Sequence, residues 1–425
     1  MTKNMKLIDN KIYLGKYALE KLAKEYQTPL MIYDKVDLQY NIDILKGFFK
    51  SEDFISQIVY ASKALLIPKI VQIMAQNDLW IDAVSGGDLY IIERSGFSLS
   101  RVIFHGNNKS IDELTKAILK GVGIIVVDNI EELKKIINLA SYYQKQVQTM
   151  FRVNPGIEVQ THYYIQTSLL SSKFGESIFD FDRFDQIMQL YLNQSYVTLL
   201  GFHSHIGSQI LDVKPFIVNA EKMINFTKYI VEKYHYPLYN LNLGGGFGIR
   251  YVDEEINIKI LLKELSSTIA KTLKDVNSTI KTVAIEPGRL IVGPSGFTLY
   301  RADMIKTTYS GKKYLFIDGG MTDNIRPALY NAKYKVANVS HYQGLEKIKV
   351  DIVGKCCESG DIIARDIIIE EPRIGDYIIV YGTGAYCYAM GINYNSALRP
   401  AVLLVGNQIE VISRRQEEKD LYQLF

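Results

Sequence analysis

Between residues 57 and 288, short runs rich in Val, Ile and aromatic residues recur eight times. Each precedes an amphipathic stretch, or a gap long enough to hold one. The runs are QIVYASK (57–63), LWIDAVS (79–85), RVIFHG (101–106), GIIVVDN (123–129), QTMFRVNP (148–155), TLLGFHSHIG (198–207), LYNLNLGGG (238–246) and KTVAIEPG (281–288). Apolar residues at helical spacing fill IPKIVQIMAQND, IDELTKAILKG, IEELKKIINLASYYQKQ and INIKILLKELSSTIAKTLKD. Eight strand–helix units predict an α/β chain with a (β/α)8, TIM-like barrel, with a doubly wound sheet as the alternative.

After about residue 290 the pattern changes. FTLYRADMIKTTY, KKYLFIDGG, EKIKVDIVGK, DYIIVYGTG and PAVLLVGNQIEVISR are β-rich runs split by Gly, Asp and Asn. We therefore expect a barrel over 36–290 and a β-sandwich or β-barrel domain built from 291–425 together with 1–35. The 425 residues leave room for both, and 48% apolar with 22% charged residues is the balance of an ordinary soluble protein. A net charge of +3 without a basic tract calls for neither nucleic acid nor membrane. No apolar run approaches the ~20 residues of a membrane span, and the start mixes charged and apolar residues unlike a signal peptide. Three cysteines (Cys356, Cys357, Cys387) without metal spacing point to a reducing cytoplasm, and no HExxH pair argues for a zinc hydrolase.

In a barrel of this kind, chemistry gathers at the carboxyl ends of the strands, with phosphate held after strands seven and eight. Lys63 ends the first run, where a charge is costly unless it has work to do; the bland alternative is a solvated lysine past a strand end. HSHIGSQ ends strand six with His205 and Ser208. Strand seven ends in GGGFG (Gly244, Gly245, Gly246, Gly248), and strand eight in EPGR (Glu286, Gly288, Arg289). Glycines let backbone N–H groups approach an anion, although a glycine run alone is more often a plain turn. With Arg289 one strand on, a phosphate-bearing ligand opposite a lysine is the better reading, and pyridoxal 5′-phosphate satisfies both. Glu286 would hold a proton on the pyridine nitrogen and His205 would stack on the ring, while strand alternation sends His203 to the opposite face.

With these motifs in hand, the chain resembles the fold-type III, alanine-racemase-like pyridoxal-phosphate decarboxylases, and among them the diaminopimelate decarboxylase family. Further matching segments are DAVSGGDLY (82–90), FHGNNKS (104–110), RVNPGIE (152–158), THYYIQT…SSKFG (161–175), DGGMTDNIRPALYNAKY (318–334), CESGD (357–361) and GAYCYAMGINYNS (384–396). The resemblance implies that Lys63 binds the cofactor aldehyde and that His205 lies on its ring. Ser208, the glycines of 244–248 and residues 286–289 would hold its phosphate and ring nitrogen. It further implies Cys357 as general acid and Arg289, Arg326, Tyr330, Glu358 and Tyr386 as substrate contacts, with Tyr386 also touching the cofactor. Family members are homodimers in which CESGD crosses into the partner's site.

Meso-diaminopimelate carries an ammonium and a carboxylate at its far end, so its pocket needs an anion and a cation, the parts given to Glu358 and Arg326. An ornithine pocket would be spoiled by that arginine. Leu290 stands where the family usually has a small residue, Ser168 and two leucines depart from a commonly polar, glycine-containing stretch, and Cys356 doubles the thiol. Three rivals stay open. One is a related decarboxylase for a D-amino acid, ornithine or a carrier-bound substrate. Another is an amino-acid racemase, against which Glu286 argues; the third is a non-catalytic phosphate-ligand binder.

Overall fold

A computed structural model describes residues 2–157, 172–342, 345–423 and 425. The chain divides into two compact units: Ile42–Gly248 with Ile256–Gly288, and Met1–Asn41 with Ile249–Glu255 and Arg289–Phe425.

In the first unit, eight parallel strands close on themselves: Ile55–Tyr60, Trp80–Ala83, Val102–Phe104, Ile124–Val127, Val147–Asn154, Val197–His203, Asn240–Asn242 and Thr282–Ile285. Thr282–Ile285 pairs back onto Ile55–Ile58, and Ile125–Val127 pairs with Thr149–Phe151, so no edge is left open. This is the barrel, and each predicted run overlaps one of its strands. The runs are continuously apolar because both faces are buried: Val59, Ile103, Ile124, Val126, Met150 and Ala284 pack together as one cluster. Short polar residues start the helices that follow. Ser85 accepts from Asp88 N, Ser110 forms a capping box with Glu113, and Asn129 accepts from Glu132 N. Those caps end the strands crisply and fix the loops that carry the site.

The second unit is a mixed sheet in the order 362–370, 347–353, 313–317, 296–307, 30–34, 401–405, 409–413, with 336–338 and 377–381 branching from it. Leu30–Asp34, from the amino-terminal segment, lies between Gly296–Thr307 and Ala401–Val405. Its fully buried Leu30 and Ile32 pack with Phe297, Leu299, Ile379 and Leu403, and burying each such side chain stabilises by roughly 1.5–3 kcal/mol. Among the described residues no helix is long and apolar enough to cross a membrane.

Candidate active site

The first barrel strand stops at Tyr60, three residues short of Lys63, which sits instead in a single 3-10 turn, Ser62–Ala64. The turn forms because Asp82 Oδ1 accepts from Ser62 N at 2.6 Å, while Leu65 N turns back to Ser62 O at 3.0 Å. Lys63 is therefore exposed at the barrel mouth, its stem held by a buried backbone. Burial pushes the Asp82 carboxyl up to about 6, against the pull of His105, Lys63 and the Ser62 N–H.

Glu286 follows the eighth strand and is buried among polar side chains. His105 Nε2 lies 2.8 Å from Oε1, Asn242 Nδ2 donates to Oε1 at 2.7 Å, and His203 Nε2 lies 3.2 Å from Oε2. Burial alone would raise this carboxyl, but His105 and His203 hold it well below the usual range. His203 is buried and pushed down to about 4, so it is neutral at neutral pH. The sequence placed it on the opposite face; that reading is corrected here. The strand ends at His203, so alternation does not extend to His205, and both rings belong to this end of the barrel.

His205 Nδ1 accepts from Gly245 N at 3.0 Å, which leaves its proton on Nε2. Burial and the nearby cations Lys63 and Arg152 hold it well below its ordinary pKa. The ring is thus a neutral, half-buried plate. Ser208 lies half-buried three residues on. The glycines have a reason beyond anion approach. A Cβ on Gly244 (φ +68°) would stand 2.3 Å from Ser204 O, one on Gly245 2.2 Å from Glu286 O, and one on Gly246 2.5 Å from Gly207 O. Cβ atoms on Gly248 and Gly288 would stand 2.9 Å from Ile210 O and 2.8 Å from Ala61 O. The three loops after strands six, seven and eight are pressed backbone to backbone, and only glycine permits it.

These residues fit pyridoxal phosphate. The unit offers an exposed primary amine, a neutral ring, an ionised buried carboxylate and a glycine cradle with no room for side chains, and the buried Ser62 Oγ has no hydrogen-bond partner among the described residues. Sequence reasoning overlooked Asp82, His105 and Asn242. Two of them lie within segments quoted for the family resemblance, and all three stand at or just past strand ends, which was the available signal.

In the second unit, Arg289, Arg326, Tyr330 and Tyr386 come together. Arg326 Nη1 donates to Tyr251 Oη at 3.0 Å and also to Tyr334 Oη, and Arg289 Nη1 donates to Tyr251 Oη. The Arg289 guanidinium lies 4.8 Å from the Tyr386 ring centroid, and that of Arg326 lies 5.9 Å from Tyr386 and 6.0 Å from Tyr330. Both arginines are buried. Tyr386 holds φ 68°, a left-handed conformation that a bulky residue adopts only under constraint. Cys357 and Glu358 are exposed on a separate loop. That loop is organised by buried Asp361, which accepts from Met321 N at 2.6 Å and Cys356 N at 2.9 Å. Burial pushes the Cys356 thiol up to about 11, with Asp361 adding to the rise. Leu290 is buried, and Ser168 with its two leucines lies outside the described residues.

Comparison with known proteins gives one answer. The family described as pyridoxal-dependent decarboxylase, pyridoxal binding domain, matches residues 47–293. A diaminopimelate decarboxylase of Bacillus methanolicus is 40% identical over 400 residues, 93% of this chain and 92% of its own length. That of Bacillus subtilis is 38% identical over 406 residues, 95% of this chain and 92% of its own. The crystal structure of diaminopimelate decarboxylase from M. jannaschii in complex with L-lysine superposes with a TM-score of 0.92 at 30% identity, covering 100% of this chain and 98% of that one. The chain belongs to the diaminopimelate decarboxylase family of pyridoxal-dependent decarboxylases.

Proposed function

We propose that this protein decarboxylates meso-2,6-diaminopimelate to L-lysine and carbon dioxide with pyridoxal phosphate as cofactor, the last step of bacterial lysine synthesis. The observation that carries the substrate assignment is Arg326. It is buried, and no carboxylate of the described residues lies within ion-pair distance of it. A buried guanidinium costs several kcal/mol unless an anion meets it, and the distal carboxylate of diaminopimelate is such an anion.

Lys63 presents the primary amine that would hold the cofactor through its aldehyde until substrate arrives. Glu286 holds a proton on the ring nitrogen, His205 covers the ring face, and Ser208, Gly244–Gly248 and Gly288–Arg289 secure the phosphate. Bound pyridoxal phosphate supplies the electron sink for the pair left when carbon dioxide departs. Cys357 returns a proton to the α-carbon. Arg289 and Arg326 orient carboxylates, Glu358 takes the distal ammonium, and Tyr330 and Tyr386 pack against the chain between them. Cys357 and Glu358 are exposed within one subunit, which supports a homodimer whose CESGD loop completes the partner's site. The free cysteines support a cytoplasmic location.

The test is incubation with meso-diaminopimelate, ornithine and D-amino acids, following carbon dioxide and the amine product. Lysine from meso-diaminopimelate alone is the expected result; release from ornithine instead, or stereochemical inversion without carbon dioxide, overturns the assignment.

A further inference from the structure

Three side-chain nitrogens converge on one buried carboxylate. Two of them are imidazoles, on Glu286 Oε1 at 2.8 Å and on Oε2 at 3.2 Å. Their rings meet edge to face, centroids 4.8 Å apart at 66°, so neither turns without displacing the other. Asn242, which also fixes Gly244 N at 2.9 Å, completes the set.

We infer that His105 and His203 are positioning residues whose Nε2–H groups keep Glu286 ionised and aimed, and thereby keep the ring nitrogen of bound pyridoxal phosphate protonated. The inference rests on the function proposed above. For His203 the tautomer follows from burial. His203 Nδ1 is buried and meets no hydrogen-bond partner among the described residues, so a proton placed there would be an orphaned donor. His203, pushed down to about 4, is neutral at neutral pH and donates without adding charge. A cationic imidazole would cancel the charge that the pyridinium needs, whereas a neutral N–H donor stabilises the carboxylate and leaves its charge available.

The groups facing Glu286 from the surrounding strands are Asp82, His105, Arg152, His203 and His205. Asp82 repels a negative Glu286, and burial disfavours the ion, so loss of the histidine donors returns a proton to Glu286. Asn242 alone then serves a neutral acid, which gives the ring nitrogen no base.

The test uses holoenzyme loaded with ring-15N pyridoxal phosphate. The wild type should show a protonated ring nitrogen across neutral pH. His105→Leu and His203→Leu should move that signal toward the unprotonated position and lower kcat roughly tenfold or more with KM little changed. His105→Gln and His203→Gln, which keep an N–H, should recover much of both. Leucine variants that lose activity while the nitrogen stays protonated overturn the inference and leave the proposed function standing. A wild type that takes up no pyridoxal phosphate overturns the proposed function itself. Should the leucine chains not fold, [15N]histidine spectra of the wild-type holoenzyme decide alone. Both residues must carry a proton on Nε2, and an Nε2 without a proton on either at neutral pH overturns the inference.

Discussion

Arg326 and Asp82 are both buried charges, and they are handled in opposite ways. Among the described residues the Arg326 guanidinium donates to the Tyr251 and Tyr334 hydroxyls, with Tyr334 in turn 3.6 Å from Cys387 Sγ. Neutral acceptors steady the guanidinium without neutralising it, so its charge is kept for a ligand. Arg326→Met should lower kcat/KM for meso-diaminopimelate by roughly 10- to 100-fold, mostly through KM, because a charge-assisted hydrogen bond contributes about 1.5–3 kcal/mol. An unchanged KM would remove Arg326 from the substrate site. Asp82 titrates about 6 in the folded chain against 3.8 ordinarily. Between those values the folded state holds a proton that the unfolded chain has released, so this group's destabilising effect builds up as pH rises from about 4 to about 6, is full above 6, and is absent below 4. Asp82→Asn, whose amide oxygen can still accept from Ser62 N, should therefore raise stability by about 1–2 kcal/mol at pH 8 and by little near pH 4. Urea unfolding of cofactor-free protein at both pH values measures it, and an equal gain at the two would refute the burial account. At this scale the sequence was read only in part. Lys63, Glu286, His205 and the glycine run stand out as charges or breakers at the ends of apolar runs. Asp82, His105 and Asn242 look like ordinary strand-end polar residues until the closed barrel turns them toward one another.

At the scale of elements, the barrel was legible because a strand buried on both faces cannot hide its apolar run, and each helix start carries its own cap. The second unit was less so. Ile362–Glu370 was not foreseen as a strand. Asp366 takes φ 52° there, the register against Lys347–Val353 shifts, and Asp366 N turns to Asp351 Oδ1 at 2.7 Å. A bulge of this kind breaks the period-two pattern on which strand reading depends. The glycine loop shows the converse, a motif visible in sequence whose physical reason was not. Gly121 and Gly244 share φ +68°, but a Cβ on Gly121 meets nothing within 4 Å whereas one on Gly244 meets Ser204 O at 2.3 Å. Gly121→Ala should therefore cost about 1 kcal/mol for the left-handed backbone, and Gly244→Ala at least 2–3 kcal/mol, with weakened cofactor retention. Equal losses for the two in thermal unfolding would show that loop packing is not what the glycine serves.

At the scale of the whole molecule, the residues proposed for one reaction are divided between two compact units, and two of them, Cys357 and Glu358, are exposed within a single chain. A general acid must be shielded from bulk water while it delivers its proton, and a carboxylate selecting an ammonium gains little when fully solvated. In the homodimer proposed above, a second copy of the chain, bringing its own Lys63, would cover both groups. The consequence is complementation. Lys63→Ala dimers and Glu358→Ala dimers should each be nearly inactive. After random subunit exchange, half the dimers are mixed, and each of those holds one site with both residues intact, so about a quarter of wild-type activity should return. If Glu358 instead serves its own subunit's site, every Glu358→Ala chain stays defective whatever its partner, every Lys63→Ala chain likewise, and the mixture remains as inactive as its parents.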